Sequence, residues 1–272
     1  MLLQHKTVGF VGAGNMATAL IRGILNARLA APQEIRISDI DAAKIEKLVS
    51  GHGVVACANN LDLIGQCDLV VLSVKPQVMN AVLAEIAPAV RADQCFVSIA
   101  AGVKLARLEG ALGPRARVIR VMPNTPALVG AGAAALARGR AATDNDVALA
   151  KAIFEAVGIA IVLDEKHIDA VTAVSGSGPA YLFFFVEALL VAAEKVGLER
   201  DVAQALVKQT ILGAARMVVE TGQPPDKLRE AVTSPGGTTA AALAVLREAG
   251  FGDLVARAVQ AAAARSVELG KG

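Results

Sequence analysis

The chain has 272 residues, 54% hydrophobic, 19% charged and 3% aromatic, with a formal net charge of +2. Mean hydropathy is +0.53. That length fits one or two domains; the composition excludes a disordered chain, and the small net charge without a basic run excludes a nucleic-acid-binding surface.

Thr7–Val11 reads as a first strand, followed by glycines and an Ala/Leu/Ile-rich helix to Leu25. Ile35–Ser38 is a second strand, Ala42–Leu48 a charged amphipathic helix and Val54–Cys57 a third strand. Leu69–Leu72, Phe96–Ile99 and Val118–Met122 continue the series, with a helix over Gln77–Ile86. Ala133–Leu136 and Ala160–Leu163 are expected at a sheet edge, with a helix over Asp146–Val157 between them. Continuous apolar strands alternating with helices predict an α/β fold with a mainly parallel sheet covered on both faces.

From Glu165 onward the pattern becomes helical: His167–Val174, Pro179–Val196, Asp201–Glu220, Asp226–Thr233, Thr239–Glu248 and Asp253–Leu269. Gly197, Gly222 and Gly250 punctuate these runs. The expected division is therefore an α/β domain over 1–164 and an all-α domain over 165–272. Tyr181-Leu182-Phe183-Phe184-Phe185 covers every face of a helix. A helix apolar all round must be buried all round, and a domain of about 100 residues has little interior for it. A second subunit is expected to cover it. The apolar run Tyr181–Ala193 is interrupted by Glu187 and is shorter than the roughly 18 residues a bilayer requires, so no membrane partner is expected. The N-terminal segment lacks the pattern of a secretory signal, which predicts a cytoplasmic protein. Cys57, Cys67 and Cys95 are widely spaced and read as reduced core thiols, with no metal-ligand spacing.

After the first strand stands Gly12-Ala13-Gly14-Asn15-Met16-Ala17, a Rossmann dinucleotide-binding fingerprint with alanine at its third position. Gly12 permits the tight turn, Gly14 lets the backbone approach a pyrophosphate, and Ala17 lets helix and strand pack closely. Asp39 ends the second strand, where a carboxylate accepts hydrogen bonds from a ribose diol and favours NADH. A helix cap competes with that role, with Asp41 a rival for the cap, and Arg36 is available to a 2′-phosphate; both NADH and NADPH stay open. Later strands end in Ser73-Val74-Lys75-Pro76, Ala100-Ala101-Gly102 and Met122-Pro123-Asn124-Thr125-Pro126, at the carboxyl ends where such sheets bind ligands. Lys75 follows a buried run and is read as facing cofactor, with a surface lysine at the next helix as the plain alternative. Asn124 is included among the cofactor-binding candidates.

Two glycine-bearing turns dominate the second half: Ser175-Gly176-Ser177-Gly178-Pro179-Ala180-Tyr181 and Thr233-Ser234-Pro235-Gly236-Gly237-Thr238-Thr239. Each is predicted to run into a helix and to leave backbone N–H groups free for a small anion. Ordinary capped helix starts would look the same.

With Ile168–Val171, these segments resemble the pyrroline-5-carboxylate reductase family, along nearly the whole chain and in the same order. The resemblance implies an N-terminal Rossmann domain and a C-terminal helical dimerisation domain, dimers that sometimes associate further, and NAD(P)H-dependent reduction of (S)-1-pyrroline-5-carboxylate to L-proline. It implies that Ser73, Val74, Lys75 and Ala100 line the cofactor site, that Asn59 or Asn60 lies near its adenosine part, and that Glu165 touches the cofactor. It also implies that Ser234, Gly236, Gly237, Thr238 and Thr239 hold substrate. Ala231 departs from relatives with a polar side chain there.

Reduction of a cyclic imine makes modest demands on a protein. The imine nitrogen can take its proton from water, leaving orientation and carboxylate binding as the main tasks. Backbone N–H groups around Gly236, Gly237 and Thr238 are assigned to the carboxylate, and the Thr239 hydroxyl to the ring nitrogen. Ser177 is expected to help shape the pocket. Tyr181 reads as packing rather than as a proton donor. His5, His52 and His167 lie outside both glycine turns and are not assigned to catalysis. A β-hydroxyacid dehydrogenase is the nearest alternative, but its chemistry needs an acid–base group such as a lysine one helical turn past a glycine turn, and none follows Gly178. A non-catalytic NAD(P)-binding protein leaves Ser234–Thr239 without purpose.

Overall fold

A computed structural model describes Leu3 and residues 6–271; His5 lies outside the described residues. They form an eight-stranded sheet in the order β3-β2-β1-β4-β5-β6-β7-β8. The strands are β1 (Val8–Val11), β2 (Ile35–Ser38), β3 (Val55–Ala56), β4 (Leu69–Leu72), β5 (Cys95–Ser98), β6 (Arg117–Met122), β7 (Gly132–Arg138) and β8 (Gly158–Val162). The first six are parallel, β7 runs antiparallel to β6, and β8 runs parallel to β7. The order 3-2-1-4-5-6 is the doubly wound arrangement, with a topological switch at β1.

Helices α1 (Asn15–Asn26), α2 (Ala42–His52), α3 (Asn60–Gln66), α4 (Met79–Ile86), α5 (Leu105–Leu112) and α6 (Asp144–Glu155) alternate with the strands. Apolar side chains on one sheet face, including Phe10, Ile37, Val71, Val97 and Ile119, form a core with Leu20 and Ile24 of α1 and Phe154 of α6. Val11, Val70, Leu72, Phe96 and Val118 point to the other face, against Leu63, Leu83 and Leu108. All four residues of β1, β4 and β5 are buried, which explains their unbroken apolar runs. The sixth helix begins earlier than its apolar period suggests, because Thr143 and Asp146 form a reciprocal capping box.

The remaining helices are α7 (Ile168–Val171), α8 (Gly178–Lys195), α9 (Arg200–Glu220), α10 (Pro225–Ala231), α11 (Thr238–Glu248) and α12 (Phe251–Leu269). Gly197, Gly222 and Gly250 all have positive φ, so the expected helix breaks are left-handed stops.

The chain divides into two compact units, one of Met1–Ser177 with Ala262–Gly272, the other of Gly178–Ala261. The first therefore extends past the division expected at Asp164. Ile168 and Ala173 are fully buried there, and Ser266 of α12 donates from Oγ to Asp169 Oδ1 at 2.7 Å. In the second unit, Leu182, Phe183, Phe184 and Phe185 are 60%, 61%, 71% and 40% exposed. Four consecutive large apolar residues cannot all stay in water without cost, so this surface requires a partner.

Helical backbone runs from Glu165 to Lys195, 31 residues with a mean hydropathy of 1.5 over its most apolar window. By length and composition alone this run is apolar enough to cross a membrane, a test that a core helix of a soluble protein also passes. Only 6% of that window is buried.

Candidate cofactor and substrate sites

The dinucleotide fingerprint forms as its sequence requires. Gly12 has φ +99°, and a side chain there would meet the Ser73 carbonyl oxygen at 2.8 Å. The loop is fastened on three sides. Gly12 N–H donates to the Ser38 carbonyl at 2.8 Å, Ser73 Oγ donates to the Gly12 carbonyl at 2.7 Å, and Ala13 N–H donates to Asp39 Oδ2 at 2.6 Å. Ala17 is fully buried, and Met16 packs against the first core.

Gly14 precedes α1 and carries no capping side chain. A methyl group on Gly14 would find no heavy atom within 4 Å. Open space before an uncapped helix start, flanked by Asn15, fits the pyrophosphate of a dinucleotide.

The structure brings Gly12, Ala13, Asp39 and Ser73 together and redirects several other candidates. Asp39 also accepts from Asp41 N–H through Oδ1 at 2.9 Å, so it braces the glycine loop, while Asp41 caps α2. Arg36 is drawn elsewhere, donating to Gln66 Oε1 and the Gln33 carbonyl. Asn59 is the cap of α3, its Oδ1 accepting from Asp62 N–H at 2.8 Å. Asn60 at the start of α3 accepts from Ser38 Oγ through Oδ1 at 2.7 Å. Val74 packs against the second core, Lys75 is exposed ahead of the short turn Pro76–Val78, and Ala100 is buried after β5.

Two cofactor candidates make hydrogen bonds within the fold. The Asn124 amide is committed to the fold at both ends: Oδ1 accepts from Ala133 N–H at 2.8 Å, and Nδ2 donates to the Ser175 carbonyl at 3.0 Å. Glu165 Oε1 accepts from Leu105 N–H at 2.7 Å and from Arg120 Nη1 at 2.9 Å. Arg120, which sequence reasoning passed over, is only 3% exposed. Its signal was there: a charge inside the apolar strand Val118-Ile119-Arg120-Val121 needs a buried partner.

The first glycine turn also differs from expectation. Ser175–Tyr181 contains the start of α8 at Gly178, but that start follows directly on a helical turn rather than on a loop. Thr172–Gly176 is a π-helical turn within the run Glu165–Lys195, and Ser177 N–H donates to the Thr172 carbonyl at 2.8 Å. Ser177 is helical (φ −86°, ψ −22°), not in the extended conformation of an N-cap.

The second turn meets its expectation with one adjustment. Gly237 N–H donates to the Ser234 carbonyl at 3.1 Å, closing a β-turn with Pro235 and Gly236 at its centre. Gly236 has φ +68°, as the third residue of a type II turn needs. Helix α11 then starts at Thr238 with no side-chain cap. Because the Gly237 N–H is committed to the turn, the donors for an anion shift to the first turn of α11, beginning with Thr238 and Thr239. Thr239 is half-buried, and Ser234, Gly236 and Thr238 are exposed.

Cys57, Cys67 and Cys95 are buried and free. Burial pushes the Cys67 and Cys95 thiols up to about 12. The thiolate is therefore suppressed at neutral pH.

Residues 165–269 match the family described as pyrroline-5-carboxylate reductase dimerisation, and residues 7–102 match that described as NADP oxidoreductase, coenzyme F420-dependent. The pyrroline-5-carboxylate reductase of Pseudomonas aeruginosa is 46% identical over 268 residues, covering 98% of each chain. A solved pyrroline-5-carboxylate reductase from Coxiella burnetii superposes with a TM-score of 0.92 at 38% identity, covering 98% of this chain and 99% of that one. The Plasmodium falciparum pyrroline carboxylate reductase, crystallised with NADP bound, gives 0.86 at 34% identity, covering 98% of each. The dimerisation match makes the protein a homo-oligomer. An uncapped dinucleotide loop, a helical dimerisation region and identity of this extent agree: the chain belongs to the pyrroline-5-carboxylate reductase family.

Proposed function

We propose that this chain reduces (S)-1-pyrroline-5-carboxylate to L-proline with NADPH or NADH, the final step of proline biosynthesis. The observation that carries the reading is the uncapped start of α11 behind the Ser234–Gly237 turn, in a chain matching these reductases over nearly its whole length.

Gly12, Ala13, Gly14, Asn15 and Met16 hold the cofactor pyrophosphate, and Asp39 and Asn60 border its adenosine ribose. Ser73, Val74, Lys75, Pro76 and Ala100 line its nicotinamide half. The bound cofactor supplies a hydride to the imine carbon. Thr238 and Thr239 N–H groups, with the positive end of α11, hold the substrate carboxylate. The Thr239 hydroxyl donates to the ring nitrogen and orients the C=N bond. The nitrogen's proton comes from water, which removes the need for a strongly acidic side chain. Ser177 borders the pocket.

We further propose that residues 1–164 form the cofactor domain and 165–272 the dimerisation and substrate domain, that the working oligomer is built from homodimers, and that the enzyme is cytoplasmic. The free, buried thiols support a reducing compartment. Purified protein mixed with pyrroline-5-carboxylate and either reduced nucleotide should oxidise the nucleotide and form proline in equal amounts. Absence of turnover with both nucleotides would refute the reading.

A further inference from the structure

We infer that Asn124 is a positioning residue for the reduction: its amide holds the π-helical turn Thr172–Gly176 at the carboxyl end of β6 by satisfying a carbonyl that the sequence itself orphans. In a helix the carbonyl of residue i accepts from the N–H of residue i+4. For Ser175 that residue is Pro179, which has no N–H and whose ring crowds the carbonyl four residues back. Continuation as a regular α-helix is therefore blocked at this point. The backbone widens instead, and Ser177 N–H reaches back five residues to Thr172.

The freed Ser175 carbonyl receives Asn124 Nδ2 at 3.0 Å, from a side chain only 9% exposed. Asn124 cannot turn away without a second loss, because its Oδ1 holds Ala133 N–H as the chain enters β7. Neighbouring contacts repeat the alternation of the strand. Arg120 pairs with Glu165, the Met122 side chain lies against Gly176, and Asn124 bonds Ser175. A side chain on Gly176 would fall 2.6 Å from Met122 Cε, so the end of that methionine would have to shift. Arg120 and Met122 of β6, with Asn124 just past its end, thus contact 165, 176 and 175. This is the half of the sheet that serves the nicotinamide in a doubly wound fold. The inference rests on the reductase reading, in which Ser177, bonded to this same turn through its N–H, is a proposed pocket residue.

Chemistry gives a test that separates positioning from stability. Pro179→Ala restores an N–H at residue 179, able to bond the Ser175 carbonyl within the helix. Asn124→Ala should lower kcat about tenfold or more while the Kd of NAD(P)H, measured by fluorescence, moves less than about threefold. The double variant Asn124→Ala/Pro179→Ala should regain most of the lost thermal stability but not the lost kcat, because the turn then relaxes to a regular helix. Asn124→Asp keeps the acceptor for Ala133 but loses the donor, and should resemble Asn124→Ala. If Asn124→Ala does not fold, the stabilised double variant Asn124→Ala/Pro179→Ala decides, with the same drop in kcat expected. The inference is overturned if kcat stays within about twofold of the parent, if cofactor affinity falls as far as kcat, or if kcat recovers together with stability in the double variant. An inactive parent enzyme refutes the reductase reading instead, so the two failures are distinguishable.

Discussion

Asp39 Oδ2 accepts a hydrogen bond from Ala13 N–H at 2.6 Å, joining the end of β2 to the first turn of the dinucleotide loop. Asp39 thereby braces the loop, and in the proposed cofactor site its carboxylate stands where an adenosine 2′-phosphate would lie. Asp39→Ser should shift the ratio of kcat/KM for NADPH over NADH upward by about tenfold, as the repulsion is removed. It should also cost about 1 kcal/mol of stability from the lost bond. An unchanged nucleotide ratio with lowered stability would make Asp39 a brace alone.

Thr239 and Gly236 are expected to fail differently. Thr239→Ala removes the hydroxyl assigned to the ring nitrogen, so kcat/KM for the imine should fall about a hundredfold with nucleotide affinity unchanged. Gly236→Ala forces a side chain into the left-handed region, costing about 1 kcal/mol locally, with no atom nearby to clash. It should act on KM for the imine more than on kcat. Parallel loss of NAD(P)H affinity in Thr239→Ala would contradict the substrate assignment.

The Arg120–Glu165 pair is asymmetric, with side chains 3% and 31% exposed. Glu165→Ala leaves a buried cation unpaired and should cost about 3 kcal/mol in urea unfolding. Arg120→Met leaves a carboxylate that still reaches solvent and still accepts from Leu105 N–H, and should cost less. The reverse order would show that Arg120 has other compensation.

These relationships mark where sequence reading reached and where it stopped. The strand series was legible because β1, β4 and β5 are buried on both faces and therefore apolar throughout. Gly12 and Gly236 were legible because only glycine takes their backbone angles without strain. The fold partners of Asn59, Asn124 and Glu165 were not: a polar side chain near a strand end serves a ligand or the fold equally well until its partner is known. The partners of Asn124 and Glu165 lie 51 and 45 positions away, at Ser175 and Arg120. The π-helical turn was missed because Ser-Gly-Ser-Gly-Pro reads locally as a helix start, although the missing N–H of Pro179 already announced an orphaned carbonyl.

Alkaline pH should expose the buried thiols. The folded values of Cys67 and Cys95 are raised from 9.0 to about 12, chiefly by burial. Above about pH 9 the unfolded chain releases protons that the folded chain keeps, so stability contributed by these neutral thiols is full below that pH and is lost progressively toward about 12. The urea midpoint should decline above pH 9, and more shallowly in a Cys67→Val/Cys95→Val variant. Identical slopes in the two proteins would remove the thiols from the account.

Hydride delivery to a cyclic imine held at the start of α11 is the central claim, and isotope transfer tests it most directly. NADPH or NADH carrying deuterium at nicotinamide C4 on the transferred face should yield L-proline with one deuterium on the ring carbon next to nitrogen that bears no carboxylate, in one-to-one ratio with nucleotide oxidised. Nucleotide oxidation without deuterium in proline, or no oxidation at all, would contradict it.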